Sequence, residues 1–380
     1  MKLDPLDSIP LTVWMNMPSP YQADFFRELA RRQDVDLRVV FGRALDPMRT
    51  TLGWSVNNDG FNWTMLPERR RILHAIHWAW RNRDRVHVVN AVWALPEFVA
   101  AASVLMLLGA PVYFHGEVSD PREARSFARL LVRNNLGRVL LRGSRGIFAI
   151  SRMAERFYAD LAGGWKRIFP FAYFKHHEFS GMKNRPRDVA FVGQLVTRKA
   201  VDVLLTAFAS VANEFPDARL VLMGSGPEDD TLRTQAQRLG VSNRVKFTGA
   251  VSSSEIDARI AEARVLVLPS RFDGWGLVVN EALAAGVPVV VTDMCGAADL
   301  IQEEQDGIVV PVEDPAALAT ALRRILARDE EVRPDCGQWR ARIGLPAVVD
   351  YFLDCLRRSP GAPLPRVPWK SMETQNGAVV

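Results

Sequence analysis

A chain of 380 residues exceeds what one ordinary hydrophobic core holds and suits two domains. At 48% hydrophobic and 24% charged it excludes wholesale disorder, and its three cysteines (Cys295, Cys336 and Cys355), far apart and without a CxxC pair, exclude a disulfide framework and read as reduced thiols of a cytosolic protein. The net charge of +5 is unevenly spread: residues 1–170 carry 24 Lys+Arg against 16 Asp+Glu and the remainder 24 against 27, so the first half is expected to meet an anionic partner.

The opening MKLDPLDSIP has acid and proline where a secretory signal needs a basic and then an apolar run, which argues against export. Thr12–Met15 reads as the first strand, and Ser19 with Pro20 marks the N-cap and first position of a helix over Tyr21–Arg32. Asp34 and Asp36 frame a turn at the edge of the next strand, Leu37–Phe41. Further strands are expected at Val86–Asn90 and Pro111–Phe114, with a helix over Pro96–Leu108 between them. The apolar stretch Phe98–Phe114 is short for a membrane span and broken by Gly109 and Pro111, so no transmembrane helix is expected. Arg122, Arg125, Arg129 and Arg133, spaced three, four and four, fall on one face of a predicted helix that could lie on anionic lipid, hold an acceptor phosphate or simply be solvated. Trp78, Trp80 and Trp93 with Arg81, Arg83 and Arg85 would suit a lipid interface or a core.

Gly163–Asn184 lacks a period and is expected to link the domains; its adjacent His176 and His177 point different ways and do not suggest a metal site. A second series follows, with strands at Val189–Val192, Arg219–Met223, Val245–Phe247, Val265–Leu268, Val287–Val291 and Gly307–Val310. Helices over Ala200–Asn213, Thr231–Leu239, Leu277–Ala285 and Ala319–Ala327 separate or follow them. This alternation predicts two tandem doubly wound α/β domains, at 1–170 and 171–345. A helix over Ala347–Leu356, within 346–380, is expected to run back toward the first domain ahead of a proline-rich tail.

The most informative stretch is LPSRFDGWGLVVNEALAAGVPVVV, residues 268–291. A buried strand ends at Pro269, a loop with Gly274, Trp275 and Gly276 follows, and a helix starts near Leu277. Glycines let a backbone approach a ligand closely, and amides at a helix start suit a diphosphate. Asp273 and Glu281, eight apart, place one carboxylate in the loop and the other about one turn into the helix.

These residues resemble the signature of the family 4 retaining glycosyltransferases of the GT-B fold, and the likeness runs through most of residues 189–327. The resemblance implies two Rossmann-like domains with a cleft between them, the N-terminal one binding acceptor and the C-terminal one a nucleotide-sugar donor. It assigns Glu281 to the nucleotide ribose and Asp273, where the family usually has Glu, to the vicinity of the donor sugar. VAFVGQLVTRKAVDVLLTAF, residues 189–208, resembles the segment whose lysine neutralises the leaving diphosphate, which points to Lys199 assisted by Gly193, Gln194 and Arg198. Gln194 stands where arginine is common, and Ala200 where glycine is. Gly224, in LVLMGSGPEDD, matches the family's G-x-G-P turn, and Phe247, in VKFTG, the segment whose backbone reads the base. His115, in YFHGE, corresponds to a histidine at the interdomain cleft that contacts the donor sugar, with Glu117 a weaker analogue.

The resemblance implies a retaining transfer needing no metal or other cofactor, from a UDP- or GDP-sugar to a glycan or lipid-linked acceptor. It also implies a cytoplasmic location, on the inner face of the membrane where cell-surface polysaccharide or glycolipid is built. The alternatives are a nucleotide-sugar epimerase or sugar phosphorylase on the same fold, or a non-catalytic sugar-nucleotide-binding protein. No nucleic-acid recognition element is evident.

Overall fold

The computed structural model describes residues 8–45, 56–91, 95–118, 120, 127–164, 167–176, 187–329, 331–359 and 361–370. The chain divides into two compact units: one holds the described residues up to Lys175 together with Leu345–Val367, the other His176–Gly344 and the residues from Pro368 onward.

The first unit is built on β1 (Ile9–Met15), α1 (Pro20–Ala30), β2 (Val35–Phe41), β3 (Trp63–Met65), α2 (Arg71–Arg81), β4 (Val86–Asn90), α3 (Pro96–Leu107), β5 (Val112–Gly116), α4 (Phe127–Gly143), β6 (Gly146–Ile150), α5 (Arg152–Ala162) and β7 (Ile168–Phe171). Its seven strands pair in the order β3-β2-β1-β4-β5-β6-β7, and every pairing is parallel. Strands β4, β5 and β6 are buried at every residue, as expected of a parallel sheet covered on both faces. The core beneath α2 to α5 is filled by Trp14, Phe98, Phe114 and Ile147.

Ser19 stands at the N-cap of α1 with Pro20 at the first turn, but its hydroxyl makes no capping hydrogen bond; its carbonyl accepts from the amides of Gln22 and Ala23 instead. Asp34 and Asp36 are tied to guanidinium groups, Asp34 to Arg32 and Arg357 and Asp36 to Arg85. Trp78 packs edge-on against Trp14, 5.0 Å between ring centroids, whereas Trp80 is half exposed. Trp93, Arg122, Arg125 and His177 lie outside the described residues, as do the side chains of Arg129 and Arg133 within α4.

The expected linker is not uniformly irregular. Ile168–Phe171 within it forms β7, the edge strand beside β6, and this strand straddles the domain limit expected at residue 170.

The second unit runs β8 (Asp188–Val192), α6 (Val201–Val211), β9 (Arg219–Met223), α7 (Asp229–Arg238), β10 (Val245–Gly249), α8 (Ser253–Glu262), β11 (Val265–Leu268), α9 (Val278–Ala284), β12 (Val289–Thr292), β13 (Gly307–Val310), α10 (Pro315–Leu326) and α11 (Cys336–Ile343). Its six parallel strands are ordered β10-β9-β8-β11-β12-β13. Phe191, Leu204, Phe208, Leu222 and Leu322 fill its core. Asp314 caps α10 by accepting from the Ala317 amide at 2.8 Å, with Pro315 in the first turn.

After α11 the chain re-enters the first unit as α12 (Leu345–Arg357). Phe352 stacks among Phe25, Phe148 and Phe171, and the Tyr351 hydroxyl donates to the Pro170 carbonyl at 3.0 Å. Arg32 meets Asp350 at 2.6 Å and Arg357 meets Asp34 at 2.5 Å, pinning the helix to the end of α1.

Candidate functional site

In an open parallel sheet, ligands bind beyond the carboxyl ends of the strands where the strand order reverses. In the second unit that point lies between β8 and β11, which pair in the middle of the sheet while their connections leave in opposite directions. The loops leaving these two strands carry the residues singled out from the sequence.

The loop after β8 passes through Gly193 and Gln194 and tightens into a 3-10 turn at Thr197–Lys199 before α6 begins. The loop after β11 runs from Pro269 to Gly276. They meet in an ion pair: Lys199 Nζ lies 2.5 Å from Asp273 Oδ2, both side chains roughly seven-eighths buried, at 13% and 14% exposure. Arg198 donates to the Phe272 carbonyl at 2.7 Å, and the Arg271 amide donates back to the Arg198 carbonyl at 2.8 Å.

Arg271, which the sequence reading did not select, organises this junction. Its guanidinium grips Asp202 at 2.9 and 2.7 Å, donates to the Thr197 carbonyl at 2.5 Å and pairs with Glu313. These acids and hydrogen bonds hold it charged and raise its already high pKa. One side chain thereby ties the lysine-bearing turn, the start of α6 and the segment after β13 to the Asp273 loop.

The loop is fixed on its other side by the turn after β12. The Asp273 amide donates to the Met294 carbonyl at 3.0 Å, the Gly296 amide to the Asp273 carbonyl at 3.0 Å and the Ala297 amide to the Trp275 carbonyl at 2.7 Å. Gly276 has φ +92°, and a Cβ there would stand 2.6 Å from Leu268 Cδ2 and 2.7 Å from Cys295 Sγ, so only glycine fits. Cys295 is buried, which pushes its thiol pKa well up, and its Sγ contacts the Trp275 carbonyl at 3.0 Å.

Trp275, expected among the donor-binding residues, turns its ring inward: it is 3% exposed and its Nε1 donates to Asn280 at 2.9 Å. Its contribution is the shape of the loop. Gly274 and Leu277 are partly exposed beside it. Glu281 is buried in the first turn of α9, where the helix dipole favours a carboxylate.

The loop after β9 closes against the one after β8. A Cβ on Gly224 would lie 1.8 Å from the Gly193 carbonyl oxygen, and one on Gly226 2.2 Å from the Leu195 carbonyl oxygen. Leu195 donates to the Ser225 carbonyl at 3.0 Å. Phe247, on the edge strand β10, is half-buried with the Arg233 guanidinium 4.2 Å from its ring centre. Gln194 and Arg198 are exposed.

His115 belongs to the first unit, at the carboxyl end of β5 beside Asn90 of β4. It is buried against Phe171 and Tyr173, its Nδ1 has no hydrogen-bond partner, and burial lowers its pKa to about 4. The imidazole is therefore neutral at physiological pH. The carbonyl of Glu117 accepts from the Tyr158 hydroxyl at 3.3 Å. Among the described residues no group of three or more His, Cys, Asp or Glu could hold a metal ion, and no helix is long and apolar enough to cross a membrane.

Two parallel Rossmann-like sheets, with a lysine–carboxylate pair at the switch point of the second, define a GT-B architecture. Residues 173–339 match the family described as glycosyl transferases group 1. The chain is similar to a GDP-mannose-dependent α-(1-6)-phosphatidylinositol monomannoside mannosyltransferase of Mycobacterium tuberculosis, 38% identical over 152 residues, which cover 38% of this chain and 40% of that protein. It is also similar to an uncharacterized glycosyltransferase of Methanocaldococcus jannaschii, 34% identical over 147 residues, covering 39% and 37%. The matched stretch thus spans about two-fifths of the length of these curated relatives. In fold the chain is similar to Anabaena HepE solved with UDP, at TM-score 0.70 and 15% identity over 92% of this chain and 99% of that one.

Proposed function

We propose that the chain is a retaining, metal-independent glycosyltransferase that takes a sugar from a nucleotide diphosphate. The observation that carries this reading is the Lys199–Asp273 pair at 2.5 Å, set between the two loops at the switch point of the second sheet. An ammonium and a carboxylate that neutralise each other hold that geometry ready. A donor's diphosphate draws the ammonium of Lys199, and Asp273 is released to accept hydrogen bonds from the sugar hydroxyls. Arg198 adds a second cation, and Glu281, buried nearby in sequence on α9, is assigned to the ribose diol.

In the reaction, the acceptor oxygen bonds to the anomeric carbon as the bond to the diphosphate oxygen breaks. That departing oxygen takes the acceptor's proton on the same face, so the configuration is retained. Charge built up on the diphosphate is met by Lys199, Arg198 and backbone amides. A UDP- or GDP-sugar is the proposed donor, which is supported by the GDP-mannose dependence named for the mycobacterial relatives and by the UDP in the HepE crystal. The proposed acceptor is a glycan or lipid-linked glycan, modified at an anionic cytoplasmic membrane face.

A thermal-shift panel of UDP-, GDP- and ADP-sugars identifies the donor, because a ligand at a hundred times its Kd stabilises the native state by about 2.7 kcal/mol. Lys199→Ala and Glu281→Ala are each expected to lower donor turnover at least roughly tenfold in folded protein. Near-normal turnover in Lys199→Ala would show that the phosphate is bound elsewhere.

A further inference from the structure

The first sheet has a switch point of its own. Its strand order reverses between β1 and β4, so the carboxyl ends of these strands are where an open parallel sheet takes a ligand. Three side chains at this edge bury a polar atom without a hydrogen-bond partner: Gln22 Oε1 in the first turn of α1, Asn90 Oδ1 at the end of β4, and Nδ1 of His115, which pairs with Asn90 in register on β5. Asn90 and His115 are both more than nine-tenths buried. Buried polar atoms are nearly always paired, so three orphans at one edge mark a place for a hydrogen-bonding ligand.

A pair of arginines stands at the same edge. The Gly42 amide donates to the Met15 carbonyl at 2.8 Å and the Arg43 amide to the Asn16 carbonyl at 2.9 Å, which ties the loop after β2 to the loop after β1. A Cβ on Gly42 would lie 3.0 Å from Phe98 Cζ, so this loop also rests on the start of α3. Helix α2, packed on α3, opens with Arg71. Both guanidinium groups thereby approach Glu97 in the first turn of α3, Arg43 Nε at 3.7 Å and Arg71 Nη1 at 3.9 Å. These are ion-pair rather than hydrogen-bond distances, and Glu97 Oε1 and Arg71 Nε are buried without a hydrogen-bond partner. One buried carboxylate holds two cations side by side and leaves one positive charge in excess. The Arg43 side chain is 49% exposed and that of Arg71 22%, so guanidinium donors remain open at this edge.

We propose that this edge is an acceptor subsite selective for a polyol that carries a phosphate, with Arg43 and Arg71 on the phosphate and Gln22, Asn90 and His115 on the hydroxyls. This rests on the transferase reading and names the class of acceptor. Stability alone does not account for the arginines. Helix α2 begins at Arg71, after exposed Arg69 and Arg70, with no acid in its first turn, and cations at a helix start oppose the dipole. The oxygens of a phosphate suit two planar forks at once, while hydroxyls donate to the amide oxygens and bond the imidazole. A neutral glycan would satisfy the orphaned atoms and leave the arginines unanswered.

The test is calorimetric titration of the full chain, with and without UDP or GDP present. The ligands are a hexose 6-phosphate, glycerophosphoglycerol as the soluble form of a phosphodiester headgroup, the parent hexose and glycerol, and a hexuronate. At least one phosphate ester is expected to bind roughly tenfold or more tightly than its parent polyol, with the margin narrowing in high salt. Preference for the monoester assigns a free sugar phosphate, and preference for the diester a headgroup. Arg43→Gln/Arg71→Gln is expected to abolish the margin, and Arg43→Gln alone, at a half-exposed position that folding does not need, to narrow it. Asn90→Ala is expected to weaken ester and parent polyol alike and so to leave the margin standing. Equal binding of esters and plain polyols, tighter binding of the hexuronate than of the esters, or a double variant that keeps the margin overturns the proposal. A wild type that a nucleotide-sugar stabilises but that shows no margin sinks this proposal alone, whereas one that no donor stabilises sinks the transferase reading.

Discussion

Arg271 determines where Lys199 stands, although it is not assigned to touch the donor. Its planar fork spans both oxygens of Asp202 while its remaining donors reach Glu313 and the Thr197 carbonyl. A lysine has one ammonium on a flexible stem and cannot hold three partners in that plane. Arg271→Lys is therefore expected to cost roughly 1–3 kcal/mol of stability, because partly buried acceptors lose their partners. It is also expected to lower kcat/KM about tenfold through a displaced Lys199, with the loss in kcat exceeding the rise in KM. Denaturant unfolding and donor kinetics check the two parts, and unchanged kinetics would show that the turn holds its shape without Arg271. The contrast between Arg271 and its neighbours shows what is legible at this scale. Asp273 and Glu281 could be picked out because their spacing to the glycines and to the helix start is local, and Lys199 because its segment resembles that of the retaining glycosyltransferases. Arg271 reaches partners 69 and 74 residues back in the chain, and nothing in its own neighbourhood in the sequence announces that. The inward turn of Trp275 rests on Asn280, five residues on, and on the turn after β12, and the glycines on either side of it gave no sign of that.

Among the elements, the interior strands were readable because a parallel strand covered on both faces is a near-continuous run of Val, Ile and Leu. VHVVN at β4 and VLVL at β11 are fully buried, and their limits match the apolar runs. The strands not anticipated are β3, with three residues and two of them exposed, β6, which opens on Gly146, and β7, which contains Pro170. A proline reads as a break, yet at a sheet edge its missing N–H is harmless, and β7 is the edge. The seat of the loop after β8 was legible only as a glycine turn. Its physical content is the close approach of Gly224 to the Gly193 carbonyl, where a Cβ would stand at 1.8 Å. Gly224→Ala must therefore push the two loops apart. It is expected to destabilise the second unit by more than about 2 kcal/mol and to weaken donor binding by at least roughly tenfold. Equilibrium unfolding and a donor titration read these losses, and an alanine variant with native affinity would show the loops to be more pliant than their contact implies.

Over the molecule as a whole, the two units answer acid differently. In the first, burial lowers the pKa of both His87 and His115 to about 4. His87 accepts from Trp14 Nε1 on Nδ1 at 3.1 Å, which leaves Nε2 to donate to the Asn82 carbonyl at 2.9 Å. Both imidazoles are thus neutral when folded and take up protons near pH 6.5 when unfolded, so the unfolded state binds more protons between pH 6.5 and 4. Stability is fully present above that window and is lost as pH falls through it, by a few kcal/mol for each histidine. The paired carboxylates Asp34 and Asp36, whose pKa values are lowered by Arg32, Arg357 and Arg85, add their own loss only below about pH 4. In the second unit burial raises the pKa of Asp188 and Asp306, so that acid relieves rather than adds a penalty there. The first unit is therefore expected to unfold at lower denaturant as pH drops from 6.5 to 4, while the second changes little over the same range. His87→Gln offers Trp14 an acceptor and Asn82 a donor without titrating. It is expected to be less stable at pH 7 and to show about half the pH slope of the wild type, as two comparable groups become one. Urea unfolding followed by tryptophan fluorescence at several pH values reads both slopes, and a first unit indifferent to pH in this window would mean that these imidazoles are already solvated in the native state.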